Sequence, residues 1–102
     1  MISSNQINQI VNIIKKTIDP KEVFLFGSYA SGMSNENSDL DIAIIKNNVN
    51  DKHKELFKIR KALFKNWVPM DLLLMDENEY NTRKSIYGTV QYEIAHKGKK
   101  IA

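Results

Sequence analysis

Glu22-Val23-Phe24-Leu25-Phe26-Gly27-Ser28 runs a short aromatic and β-branched segment directly into a Gly-Ser pair. After a polar loop, Ser38-Asp39-Leu40-Asp41-Ile42-Ala43-Ile44-Ile45 begins with alternating acids and becomes continuously apolar. The first segment reads as a buried strand that ends at Gly27. The second, Asp39 to Lys46, reads as a strand central to a sheet, because only a strand covered on both faces is apolar without alternation. Between them, Gly27 to Gly32 forms a small turn with room for one helical turn, and Ser34 to Ser38 is a loop.

Working outward, Ser3 followed by Gln6 has the spacing of a capping box. Ile7, Ile10, Val11, Ile14 and Ile18 then mark one stripe of an amphipathic helix that Asp19-Pro20 ends. Downstream, a second helix is predicted from about Asp51 to Lys65, with Leu56, Ile59 and Leu63 inward and its lysines forming a solvated face. Pro69 restricts the third strand to Met70 to Met75. Asp76 with Glu79 suggests another capping box, and Ile86, Val90 and Ile94 form a last helical stripe interrupted near Gly88. His96-Lys97-Gly98 reads as the end of that helix, with Gly98 free to turn left-handed. The order α-β-turn-β-α-β-α predicts a small α/β (α+β) fold, a sheet with helices packed on it.

Composition narrows the setting. The chain has 102 residues, 42% of them hydrophobic and 26% charged, which predicts one domain over residues 1–102 and argues against disorder. Without cysteine there is no disulfide, thiolate zinc site or cysteine nucleophile, and a cytoplasmic location fits best. No apolar run approaches the roughly 20 residues of a membrane span, and the N-terminus lacks a signal-peptide layout. A net charge of +3 with scattered lysines argues against nucleic acid as a direct substrate.

The chemistry lies in the opening stretch. Asp39 and Asp41, one residue apart on a strand, point to the same face, and carboxylates that close repel unless a cation lies between them. Mg²⁺ is the natural ion, being hard, oxygen-seeking and often shared with substrate phosphates. Asp71 is an acid out of place in an apolar strand, and joins the same cluster if that strand pairs beside Asp39 to Lys46. Gly27 lets backbone approach a ligand, and Ser28 adds a neutral hydroxyl donor at the start of a helical turn, an arrangement that suits a phosphate. Together these are the parts of a two-metal phosphoryl-transfer site. The plainer alternatives are a solvent-facing strand edge for Asp39 and Asp41, a lysine-paired strand end for Asp71, and a simple turn for Gly27 and Gly32, the reading favoured for Gly32. His53 and His96 read as surface residues, and Trp67 as core or interface.

Gly27-Ser28, ten intervening residues, Asp39-X-Asp41 on a strand and a lone Asp71 on a later strand resemble the nucleotidyltransferase superfamily of DNA polymerase β type. The small size resembles its minimal nucleotidyltransferase (MNT) branch, including the antitoxins of HEPN/MNT toxin-antitoxin modules. The resemblance implies a nucleotidyltransferase fold, a small mixed sheet with flanking helices, and Mg²⁺-dependent transfer of AMP from ATP with release of pyrophosphate. Gly27 and Ser28 would bind the triphosphate. Asp39, Asp41 and Asp71 would be the catalytic acids and the ligands of two Mg²⁺ ions, with Asp71 also helping to deprotonate the acceptor hydroxyl. Ser31 departs from the pattern, since many relatives are basic there, and no phosphate contact is carried over to it.

Larger relatives usually add a second domain for the acceptor, so the shortness of this chain points to a partner that completes that side. By the same resemblance the partner is a helical HEPN-type toxin, adenylylated on a tyrosine and silenced, in an assembly of unspecified stoichiometry. The alternatives are a non-catalytic antitoxin or scaffold that acts by docking, and an antibiotic-modifying nucleotidyltransferase acting on a small molecule.

Overall fold

The computed structural model describes all 102 residues. Helix α1, Ser4–Ile18, starts where the Ser3 hydroxyl accepts the Gln6 N–H at 3.2 Å and Gln6 Oε1 accepts the Ser3 N–H at 2.8 Å. These bonds satisfy backbone groups that a helix start leaves free. It ends at Asp19, whose left-handed backbone turns the chain into strand β1, Glu22–Phe26. One helical turn, α2 (Ser28–Ser31), and a polar loop lead to β2, Leu40–Lys46. Helix α3, Lys52–Ala62, and a 3-10 turn, Phe64–Asn66, precede β3, Met70–Asp76. Helices α4 (Glu77–Arg83) and α5 (Val90–Lys97) and a two-residue strand β4 (Lys99–Lys100) complete the chain.

The sheet has the order β3-β2-β1-β4. Strand β1 runs antiparallel to β2 and β4, whereas β2 and β3 are parallel, so the sheet is mixed, as the family resemblance implies. On one face Ile10, Val11, Ile14 and Ile18 of α1 and Ile59 and Leu63 near α3 pack with Leu40, Ile42, Ile44 and Leu74. On the other, Tyr80 of α4 and Ile94 of α5 pack with Phe24, Ala43, Ile45 and Met75. Alternation along β2 sends its side chains to both layers, which is why its run from Ile42 to Ile45 has no polar break. No helix is long and apolar enough to cross a membrane.

The C-terminal third departs from the sequence reading in four places. Ile86 and Val90 are exposed and only Ile94 enters the core, because Thr89 starts a separate helix: its hydroxyl accepts the Tyr92 N–H at 3.1 Å. The predicted stripe is therefore broken: Ile86 lies in the turn after α4, and only Val90 and Ile94 belong to α5. Asp76 does cap α4, but Glu79 turns away to Lys52 at 3.2 Å instead of closing a capping box. Gly98 is extended, not left-handed; it is required because an added Cβ would collide with the Ile94 carbonyl oxygen and crowd the Leu25 carbonyl at 3.2 Å. Finally, β4 adds an edge strand with no signal in the sequence, since two lysines have no apolar pattern and edge pairing uses backbone alone. Trp67 is partly exposed beside the 3-10 turn, and His53 and His96 are exposed as expected.

Candidate active site

The Leu40 N–H donates to the Pro69 carbonyl at 3.0 Å, tying the start of β2 to the start of β3. That register puts Asp41 opposite Asp71, while on the other side of β2 Phe26 lies opposite Asp41. Paired residues share a face of the sheet, so Phe26, Asp41 and Asp71 form one row across three strands. They lie on the layer occupied by α4 and α5, since Phe26 packs with Ala43 and Ile45 of that face. Asp39 is one residue ahead of β2, which begins at Leu40 and not at Asp39 as the sequence predicts. The preceding loop is folded on itself: the Asn35 N–H donates to Ser38 Oγ at 2.9 Å and the Asn37 N–H to Asn35 Oδ1 at 2.8 Å. It delivers Asp39 near enough for its charge to act on Asp41.

Burial first, then the negative charges of Asp71 and Asp39, push the Asp41 carboxyl above the ordinary aspartate range. Each cause disfavours an ionised group without a cation nearby. Asp39 and Asp71 are themselves exposed and Asp41 is half-buried.

Gly27 adjoins this row. Its φ of +69° is a conformation open mainly to glycine, and a Cβ there would collide with Asp41 Oδ2. The missing side chain lets the Asp41 carboxylate rest against the backbone of the turn. Helix α2 starts at the next residue, Ser28, and the Ala30 and Ser31 N–H groups both return to the Gly27 carbonyl, at 3.2 and 3.1 Å. The Tyr29 hydroxyl accepts the Ile2 N–H at 3.1 Å, and Tyr29 and Ala30 pack on the α1-side core, so this single turn is anchored from behind. Gly27, Ser28, Asp39, Asp41 and Asp71 thus meet at one end of the sheet.

Next to Gly27 opens a cavity of about 360 Å³ lined by Phe26, Gly27, Ser31, Val90, Glu93 and Lys97. Its size lies within the range of small-molecule sites. The contribution of α5 has no signal in the sequence, where Lys97 reads simply as a cation near a helix end.

All three site acids offer carboxylate oxygen, with no nitrogen or sulfur ligand among them, a donor set that fits a hard divalent ion such as Mg²⁺. They are gathered loosely: no group of three or more acids or histidines forms a ready-made metal site.

Comparison with known proteins gives three findings. Residues 8–102 match the family described as polymerase beta, nucleotidyltransferase. No curated protein matches significantly. Among solved structures, a chain of the toxin-antitoxin complex MntA-HpeT, a mutant with two Asp→Glu changes, superposes with a TM-score of 0.66 at 21% identity, over 91% of this chain and 69% of that one. A toxin-antitoxin structure with AMP-PNP gives 0.63 at 25% identity, over 94% and 71%. A complex of tri-AMPylated Shewanella oneidensis HEPN toxin with MNT antitoxin gives 0.62 at 20%, over 94% and 68%. These likenesses agree with the fold built above, and the family match spans nearly all of the chain. The chain therefore belongs to the polymerase β nucleotidyltransferase family.

Proposed function

We propose that this protein is the antitoxin of a toxin-antitoxin pair, working in the cytoplasm. Its activity is Mg²⁺-dependent transfer of AMP from ATP to a hydroxyl, in the first instance a tyrosine, of a helical HEPN-type toxin. The observation that carries the reading is the in-register pairing of Asp41 with Asp71 beside Gly27. A sheet gains nothing from two acids placed opposite each other, since like charges in that position are destabilising. The similarity to toxin-antitoxin structures, one with AMP-PNP and one with an AMPylated toxin, supports the choice of nucleotide and partner.

In this reading the Gly27 backbone and the Ser28 hydroxyl hold the triphosphate. Asp39, Asp41 and Asp71 would hold Mg²⁺, which when bound offsets the phosphate charge and polarises the α-phosphorus. Asp71, exposed at the start of β3, accepts the proton of the acceptor hydroxyl. The acceptor oxygen forms a bond to the α-phosphorus, the bond from that phosphorus to the bridging oxygen breaks, and pyrophosphate leaves with its electron pair. The pairing of Asp41 with Phe26, the residue before Gly27, fixes that acid relative to the turn.

The test is to incubate the protein with ATP, Mg²⁺ and the helical protein encoded beside it, then weigh that protein by mass spectrometry. A gain of one or more AMP masses, lost in the Asp39→Asn, Asp41→Asn double variant, is the expected result. No gain with the native protein, or the same gain with the variant, contradicts the proposal. A second reading, neutralisation by docking alone, draws on the loose gathering of the acids. It predicts that neutralisation in cells persists undiminished in the double variant.

A further inference from the structure

We propose that Lys97, at the end of α5, is the cation that meets the outer phosphates of the nucleoside triphosphate. The inference rests on the nucleotidyl-transfer reading above and adds to it a residue on a separate element.

Gly27 is a shared wall: Asp41 lies against it, and it also lines the 360 Å³ cavity. A triphosphate held at Gly27 and Ser28 thus has this cavity as the adjoining space. Phe26 and Val90 make its apolar walls, and Ser31 is uncharged, with its hydroxyl already donating to the Ser28 carbonyl at 3.2 Å. The charged lining residues are Glu93 and Lys97. A polyphosphate entering here meets Lys97 as its cation, in surroundings otherwise made negative by Asp39, Asp41, Asp71 and Glu93.

Other cations are committed elsewhere. Lys46 pairs with Glu55 at 3.1 Å, Lys21 with Glu77 at 3.0 Å and Lys52 with Glu79 at 3.2 Å, all around the opposite end of the sheet. Lys100 pairs with Glu22 at 3.7 Å. Lys99 lies opposite Leu25, whose side chain belongs to the α1-side core, so it faces away from the acids. Arg83 donates to Gln91 Oε1 at 3.4 Å.

Lys97 itself is held only weakly. Its Nζ lies 3.6 Å from Glu93 Oε1, with the two side chains 74% and 54% exposed, a setting in which an ion pair contributes little. A phosphate, with more charge and more acceptor oxygens, outcompetes one exposed carboxylate. The Lys97 backbone, in contrast, is fixed: the Gly98 N–H donates to the Ile94 carbonyl at 3.0 Å, and Gly98 packs so closely on β1 that no side chain fits. The backbone is tied down and the amine is exposed, which suits a group that is handed from Glu93 to the ligand.

The test measures binding by calorimetry in Mg²⁺, using α,β-methylene-ATP, which cannot release AMP, and AMP as the ligand without outer phosphates. Lys97→Gln weakens the triphosphate analogue about tenfold and leaves AMP nearly unchanged, as loss of one charge-assisted phosphate contact predicts. Lys97→Arg retains the affinity, and Glu93→Gln tightens the analogue roughly twofold by freeing the amine. Unchanged binding of the analogue by a folded Lys97→Gln protein, or an equal loss for AMP, overturns the assignment of Lys97 while leaving the function intact. Failure of the native protein to bind the analogue at all overturns both.

Discussion

Strands β2 and β3 run parallel and in register from Leu40↔Met70 to Lys46↔Asp76, and their two ends treat charge in opposite ways. At the far end Lys46 stands opposite Asp76, Lys46 pairs with Glu55, and Asp76 accepts the N–H groups of Val49 at 3.0 Å and Asn78 at 2.9 Å. At the near end Asp41 stands opposite Asp71 with Asp39 close by. The pKa shifts follow. Backbone donors hold Asp76 below the ordinary aspartate range, whereas burial and the neighbouring acids hold Asp41 above it. One end of the same strand pair stabilises the fold, and the other keeps unneutralised charge where a ligand can use it.

The comparison is broken most severely at the near end. With Asp71 as the proposed proton acceptor, Asp71→Asn should lower nucleotidyl transfer by about 10³-fold in a transfer assay with radiolabelled ATP. Melting temperature at pH 7 should rise slightly, because the change removes one of the charges that oppose ionisation of Asp41. Gly27→Ala comes next: the added methyl displaces Asp41, and a shift of about 1 Å in a catalytic group costs about 10²-fold in rate.

At the far end the effects fall on stability. Lys46→Met leaves Glu55, whose Oε2 is already buried without a partner, with no counter-ion. Urea unfolding should show a loss of about 2 kcal/mol with transfer activity retained.

The smallest effect is the sharpest comparison, because its sign differs between the ends. Asp76 has a lowered folded pKa, so its stabilisation is present above the ordinary value of 3.8 and lost as pH falls through the folded pKa. Asp41 has a raised one, so its contribution is favourable below 3.8 and is lost as pH rises through the folded pKa. Asp76→Asn should therefore lower the melting temperature by a few degrees at pH 7, and by progressively less as pH falls below 3.8 and through the folded pKa. Asp41→Asn should raise it at pH 7 and have little effect at pH 3.

Much of this contrast is readable in the residues. The stripe from Ile7 to Ile18 and the strand ending at Gly27 are visible as local patterns, and α1 and β1 have the predicted limits. The fold class follows from their order. The candidate site is readable as a set of residue types, Gly27-Ser28 and three aspartates, while their meeting depends on a strand pairing that no local pattern encodes. The hydrogen bond from Leu40 to Pro69 determines that register. The cavity was hidden for a different reason. It requires α5 to stand over β1, and α5 is separated from α4 by a cap at Thr89 that a four-residue apolar spacing conceals. Lys97 and Glu93 look there like an ordinary exposed helix pair. Strand β4 depends on backbone pairing alone, so its side chains carry no trace of it.

The central claim is that the near end stores repulsion which a cation and a nucleotide relieve. Thermal melts at pH 7 of the native protein and of Asp41→Asn, each with and without Mg²⁺ and α,β-methylene-ATP, test it directly. Without ligand the variant should melt a few degrees higher; with both ligands the native protein should gain more and the order should reverse. A variant that melts lower without ligand, or a native protein that gains nothing from Mg²⁺ and the nucleotide, would contradict the account.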